Sequence, residues 1–338
     1  MANVSTPPLE VRLIGGSTTS LVGTVGLLGN LLLVAVSFEN FKNFRKIPFF
    51  LITWQMIIGD LLVISAQLTV AVPITFAGYD VYKNATTFPF ILSLMDSYGY
   101  LCNMLFAVLL ILNRFFIFCA PSSLNQFFFG KRSILITLIV TWVYAVCRTS
   151  YTTLSGCVKE FIPNKLHFRP SCRSAGSNNV ARMISKFGMY ESYALPGIMF
   201  VLYMVVLMKV RYDYRAFKTR MLSKSSKIEV RLLVQSILIC GVLQLEVLAF
   251  SFLPKIRVSP PTGLYINLLI GLISIMSSTT HPMVLFVFNM DVRQGMLSLF
   301  KNKTSVQILS MSHTVSMEKT AALVNRATMR RATVMSIC

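Results

Sequence analysis

A chain of 338 residues that is 54% hydrophobic and only 13% charged, with a mean hydropathy of +0.66, is far more apolar than an ordinary soluble domain. Its 32 Lys and Arg against 12 Asp and Glu give a formal charge of +20. That balance would suit nucleic acid, but the basic residues sit mainly between apolar runs and on one side of them, which argues for a lipid bilayer and no nucleic-acid partner.

A hydrocarbon core about 30 Å thick takes roughly 20 mostly apolar residues as a helix, so seven long stretches nearly free of charge predict seven spans. In chain order they are Leu13 to Phe38 without charge, Ile47 to Gly78 with Asp60, Asn84 to Asn113 with Asp96, and Ser133 to Val158 with Arg148. Phe187 to Met208 follows with Glu191, Leu232 to Pro254 with Glu246, and Val258 to Met290 without charge. Backbone groups in lipid must be satisfied within their own segment, so the runs read as helices, kinked at Pro73, Pro196 and Pro282. The expected fold class is therefore an all-α membrane protein: a seven-transmembrane helix bundle. Val292 to Phe300 adds a short amphipathic helix in the interface. Residues 1–12 form an outer tail, 13–300 the bundle, and 301–338 a Ser/Thr-rich cytoplasmic tail without apolar periodicity.

Placing the N-terminus outside puts three basic residues (Lys42, Arg45, Lys46) in the first inner loop and Arg114, Lys131 and Arg132 around the second. It puts eight more between Lys209 and Arg231 and seven from Arg293 onward. Fewer lie outside, most of them in the second outer loop, and the positive-inside rule favours this orientation. Sequons at Asn3 and Asn84 would then face outward as glycosylation sites, while that at Asn302 would not. No basic region followed by an apolar core marks the first dozen residues, so the first span serves as the insertion signal. Cys102, Cys119, Cys147 and Cys240 fall in or at the ends of spans and read as small buried hydrophobes. Cys157 and Cys172 sit in the second outer loop, where a disulfide between them would close it over the bundle mouth; otherwise Cys157 is a helix-end thiol.

Helix geometry singles out the third span. Asp96 precedes Arg114 by five full turns, so both share one face about 27 Å apart, with Tyr100, Asn103 and Ala107 along the stripe between them. Glu191, Glu246 and Arg148 lie in the outer halves of their spans, where unpaired charge is costly. They read either as internal pairs or as a cation-binding pocket walled by Tyr98, Tyr100, Tyr190, Tyr193 and Tyr265. The ligand-binding candidates on the second reading are Asp96, Tyr100, Glu191, Glu246 and Tyr265. On the first, Arg148 neutralises one acid and the others are protonated or water-linked.

Gly29-Asn30, Gly59-Asp60-Leu61-Leu62, Asn113-Arg114-Phe115, Trp142, Pro196 and His281-Pro282 occur in order, each in a different span except the last two residues, which share the seventh. Together they resemble the rhodopsin-like G-protein-coupled receptors. The Asn113-Arg114-Phe115 ending, Glu229 to Ser236 opening the sixth span, and Phe288-Asn289 running to Arg293 resemble the nematode serpentine chemoreceptors, class x or a neighbouring class. The resemblance implies a chemosensory receptor in the plasma membrane, in a sensory neuron, coupling through Asn113 and Arg114 to a heterotrimeric G protein. It implies that Asp96 holds the ammonium of a small cationic ligand. It also implies that Asp60 faces Asn103, Ser277, Ser278 and His281 in a polar core suited to a sodium ion, a proton or water. Departures are plain: Asn113 replaces the usual acid before the arginine, span six lacks Cys-Trp-x-Pro, and no cysteine opens span three.

Rival classes fare worse. Only His167, His281 and His313 are available, and no His-Glu-x-x-His or Gly-x-Ser-x-Gly motif supports an enzyme or a metal site. A small-solute membrane transporter is the alternative its intramembrane acids allow, against which stands the lack of an internal repeat.

Overall fold

Seven long helices dominate the computed structural model, which describes residues 6–82, 87–172, 179–216, 224–256, 258 and 260–299. Numbered one to seven in chain order, they are Leu9–Glu39, Pro48–Ala77, Thr87–Cys119, Lys131–Leu154, Asn179–Ala216, Lys224–Phe252 and Pro260–Phe288. Each holds a stretch long and apolar enough to cross a membrane. Short helices occupy Phe41–Phe44 and Ser122–Phe129. Residues 1–290 form one compact unit; in the second, which begins at Asp291, residues 291–299 are helical and the Ser298 hydroxyl donates to the Gly295 carbonyl at 2.8 Å. The sequons at Asn3, Asn84 and Asn302 and the Ser/Thr-rich tail lie outside the described residues.

Helix two lies along helix three, helix one along helix seven, and helix seven against helix six. Gly59 and Gly99 let helices two and three approach closely: a Cβ on Gly99 would collide with the Gly59 carbonyl, and one on Gly59 with the Asn103 side chain. The outside of the bundle is apolar. Leu135, Ile136, Ile139, Val140 and Val143 on helix four are each more than half exposed, a surface that water would penalise and acyl chains would not.

Each interior proline leaves a carbonyl four residues earlier without its helical N–H, and the structure shows where two of those carbonyls go. Before Pro73 the helix widens into a π turn at Gln67–Ala71, and the orphaned Thr69 carbonyl accepts the Tyr82 hydroxyl at 2.6 Å. Before Pro282 the Ser278 carbonyl accepts the Asn30 amide at 3.2 Å, which ties helix one to helix seven at a fully buried point.

Between helices four and five the chain forms an antiparallel hairpin, β1 Cys157–Ile162 and β2 His167–Cys172. Helix four therefore stops at Leu154, four residues before the end predicted from its apolar run, and the all-α expectation gains a two-stranded sheet. Cys157 is bonded to Cys172 across the open end of the hairpin. Alternation along β1 puts Cys157, Lys159 and Phe161 on one face, opposite Cys172, Pro170 and Phe168. Phe161 and Phe168 meet edge to face with centroids 5.2 Å apart, and Phe168 is buried against Val70, Ala71 and Ile74 around the π turn. The hairpin thus seats on the irregular part of helix two.

Candidate functional site

Helix three carries three polar sites on its buried stripe. At the hairpin end, Asp96 is 1% exposed and its carboxylate is paired with the Lys159 ammonium, which reaches in from β1. The Gln67 amide donates to the other carboxylate oxygen at 3.5 Å, from the π turn. Lys159 is ringed by Tyr100, Phe168 and Phe250, with its nitrogen 5.4 to 5.9 Å from the three centroids. The ammonium that Asp96 holds is the chain's own. Sequence reasoning counted Lys159 only as an outer-loop charge; its position two residues after Cys157, on the same strand face as the disulfide, was the signal that could have placed it.

Glu246 is also buried, beside the hydroxyls of Ser274 and Ser277 and within electrostatic range of Lys159 and Asp96. Ser277, grouped from the sequence with Asp60, belongs here: three residues after Ser274 it presents the same face of helix seven to helix six. Tyr265, expected in the ligand wall, is nearly half exposed and stands apart from the cavity described below. Glu191 has its own partners, the Arg148 guanidinium at 3.3 Å and the Tyr144 hydroxyl at 2.7 Å. The ligand-binding candidates therefore divide into Asp96, Tyr100 and Glu246 around Lys159, and Glu191 with Arg148.

A cavity of about 470 Å³ opens between these two ion pairs. Lys159, Arg148 and Glu191 are its charged lining, with Tyr100, Phe168 and Phe250 among its walls. At neutral pH His167, on the neighbouring strand, stays uncharged, because burial and the nearby Lys165, Arg169 and Lys159 charges hold its imidazole below the ordinary 6.5.

Midway along the stripe, Asp60 accepts the Asn103 amide at 2.8 Å on one oxygen and shares a proton with His281 Nδ1 at 2.8 Å on the other. Ser278 flanks the carboxylate, and all four residues are buried. Both carboxylate oxygens are engaged by nitrogens, those of Asn103 and His281, while the buried Asn103 side-chain oxygen has no hydrogen-bond partner among the described residues. Among the described residues no group of three or more His, Cys, Asp or Glu could hold a metal.

At the end away from the hairpin, Arg114 is 1% exposed, with its guanidinium 4.9 Å from the Phe49 centroid. Asn113 is equally buried, and neither its amide nitrogen nor its oxygen has a hydrogen-bond partner among the described residues; the same holds for Gln235 on helix six. Tyr203 on helix five donates to the Ser236 carbonyl at 2.8 Å next to Gln235. Leaving a buried amide unsatisfied costs about 1–3 kcal/mol, and two such amides lie at this end of the bundle.

A search of curated proteins finds no match. The model of a family described as "Protein of unknown function (DUF621)" matches residues 13–310, from within the first long helix to beyond the seventh, and the chain belongs to that family.

Proposed function

We propose that this chain is a G-protein-coupled chemosensory receptor of the plasma membrane, with the N-terminus and hairpin outside and Arg114 facing the cytoplasm. A small ligand occupies the cavity beneath the hairpin, and a heterotrimeric G protein engages the far end. The observation that carries this reading is the polar seam of helix three. One rigid element joins an ion pair beside a ligand-sized cavity (Asp96 with Lys159) to a buried arginine flanked by unsatisfied amides (Arg114, with Asn113 and Gln235). A ligand that disturbs the first biases the second, and the Asp60–His281 pair sits between them. Orientation is supported by the disulfide, which needs an oxidising compartment, and by the basic residues at the opposite ends of the helices.

Asn113 stands where the resembled receptors carry an acid, and the Arg114 guanidinium lies against the Phe49 face, a contact that helps to hold the resting state. Activation on this reading swings the guanidinium off the ring toward the G protein. The test is a second-messenger assay of the expressed receptor against a chemical panel, with surface labelling in parallel. Arg114→Ala is expected to abolish evoked responses at unchanged surface level. A response that survives the substitution would remove the coupling role.

A further inference from the structure

Of the three charged side chains lining the cavity, two are cations, Arg148 and Lys159, and one is an acid, Glu191. Asp96 stands behind Lys159, 1% exposed against 18% for the lysine side chain, so the ammonium is the half of that pair that the cavity meets. An entering amine would find both acids already holding tethered cations, whose effective concentration a free ligand cannot match. A carboxylate instead meets the cation of each pair from the cavity side, where donors remain. Lys159 has three N–H donors, of which Asp96 takes one. On Arg148, Nε donates to Glu191 and Nη1 to Thr152, while among the described residues no acceptor takes Nη2. Gly188 makes room for that nitrogen, since a Cβ there would collide with it.

We propose that the cavity binds a small organic carboxylate with an apolar body, its carboxylate held by Arg148 and Lys159; the inference rests on the receptor reading and names its ligand class. Leu94, Leu101, Val158, Val247 and Phe250 supply the apolar wall, and the hydroxyls of Thr149 and Ser251 suit a polar substituent. At about 30 Å³ per water-sized group, 470 Å³ holds roughly fifteen non-hydrogen atoms. That suits a medium-chain or aryl acid. The carboxylate competes with Asp96 for Lys159 and with Glu191 for Arg148, and loosening the first pair frees Asp96 on the helix that carries Arg114.

The test uses purified full-length receptor and the probes butyrate, octanoate, 3-hydroxyoctanoate and phenylacetate, each against its amide and the amine of the same skeleton. At least one acid is expected to bind saturably, with its amide about 10-fold to 100-fold weaker, as expected for losing a charge-assisted hydrogen bond. The amine should not compete. Arg148→Gln and Lys159→Gln should each weaken the acid by a similar factor. Glu191→Gln, which removes the rival carboxylate, should tighten it several-fold, a change that misfolding does not produce. Binding by no acid, competition by the amines, or indifference to both Arg148→Gln and Glu191→Gln would overturn the proposal. Acid binding that tracks Arg148 without a second-messenger response would keep the site and overturn the receptor reading. Amine-evoked responses lost in Arg114→Ala would do the reverse.

Discussion

Lys159 and Asp96 form a pair in which either partner alone is a buried, uncompensated group. Asp96→Asn or Lys159→Gln should each lower stability by about 3 kcal/mol, while the double variant should cost less than the two together. Thermal unfolding of the four purified proteins gives the coupling directly, and simple additivity would show the pair to be incidental. Asp96 itself was legible in the sequence because helical spacing alone puts it on the Arg114 face, and a lone acid in an apolar run draws notice. Its partner was not, since a lysine in a basic loop is one of many until the strand register turns it inward. Ser277 shows the same limit from the other side. Adjacent serines on one helix point about 100° apart, so only the packing of helix six decides which acid each one meets.

The hairpin and the prolines behave as elements with predictable energetics. The disulfide closes a loop of about 15 residues, for which removal by Cys172→Ser should cost roughly 3 kcal/mol of hairpin stability. Amide exchange across β1 and β2 would report the loss. His167 adds a pH dependence. Its folded-state affinity for protons is depressed, so the unfolded hairpin binds the proton more tightly; the hairpin keeps its full stability above pH 6.5 and loses it as the pH falls further. Faster exchange of the strand amides on acidification, abolished in His167→Gln, is the expected result. Asn30→Ala should cost about 1–3 kcal/mol by stranding the Ser278 carbonyl, and Pro282→Ala in the same chain should restore most of it by returning the helical N–H. The helices were readable because lipid demands long uninterrupted apolar runs. The hairpin was not, because two six-residue strands without regular apolar alternation leave no such signature.

For the whole molecule, the seven-helix architecture puts apolar surface outside and most of its buried polar groups along helices two, three, six and seven. That inversion is what lets a bilayer-sized bundle carry a charged seam at all. The proposed orientation predicts that a cysteine introduced at Asn164 in the hairpin turn reacts with an impermeant maleimide on intact cells, in a Cys147→Ser background. One introduced at Ser123, beyond helix three, should react only after permeabilisation. The opposite pattern would invert the topology and with it the roles of the two ends.

The bond from Asn30 to the carbonyl freed by Pro282 also constrains how such a chain can change over generations. Replacing the proline first is harmless, because the asparagine merely becomes redundant; replacing the asparagine first strands a carbonyl in a dry interior. Drift between these two positions therefore runs in one order, and in the DUF621 family members without the asparagine should be found chiefly among those that have already lost the proline.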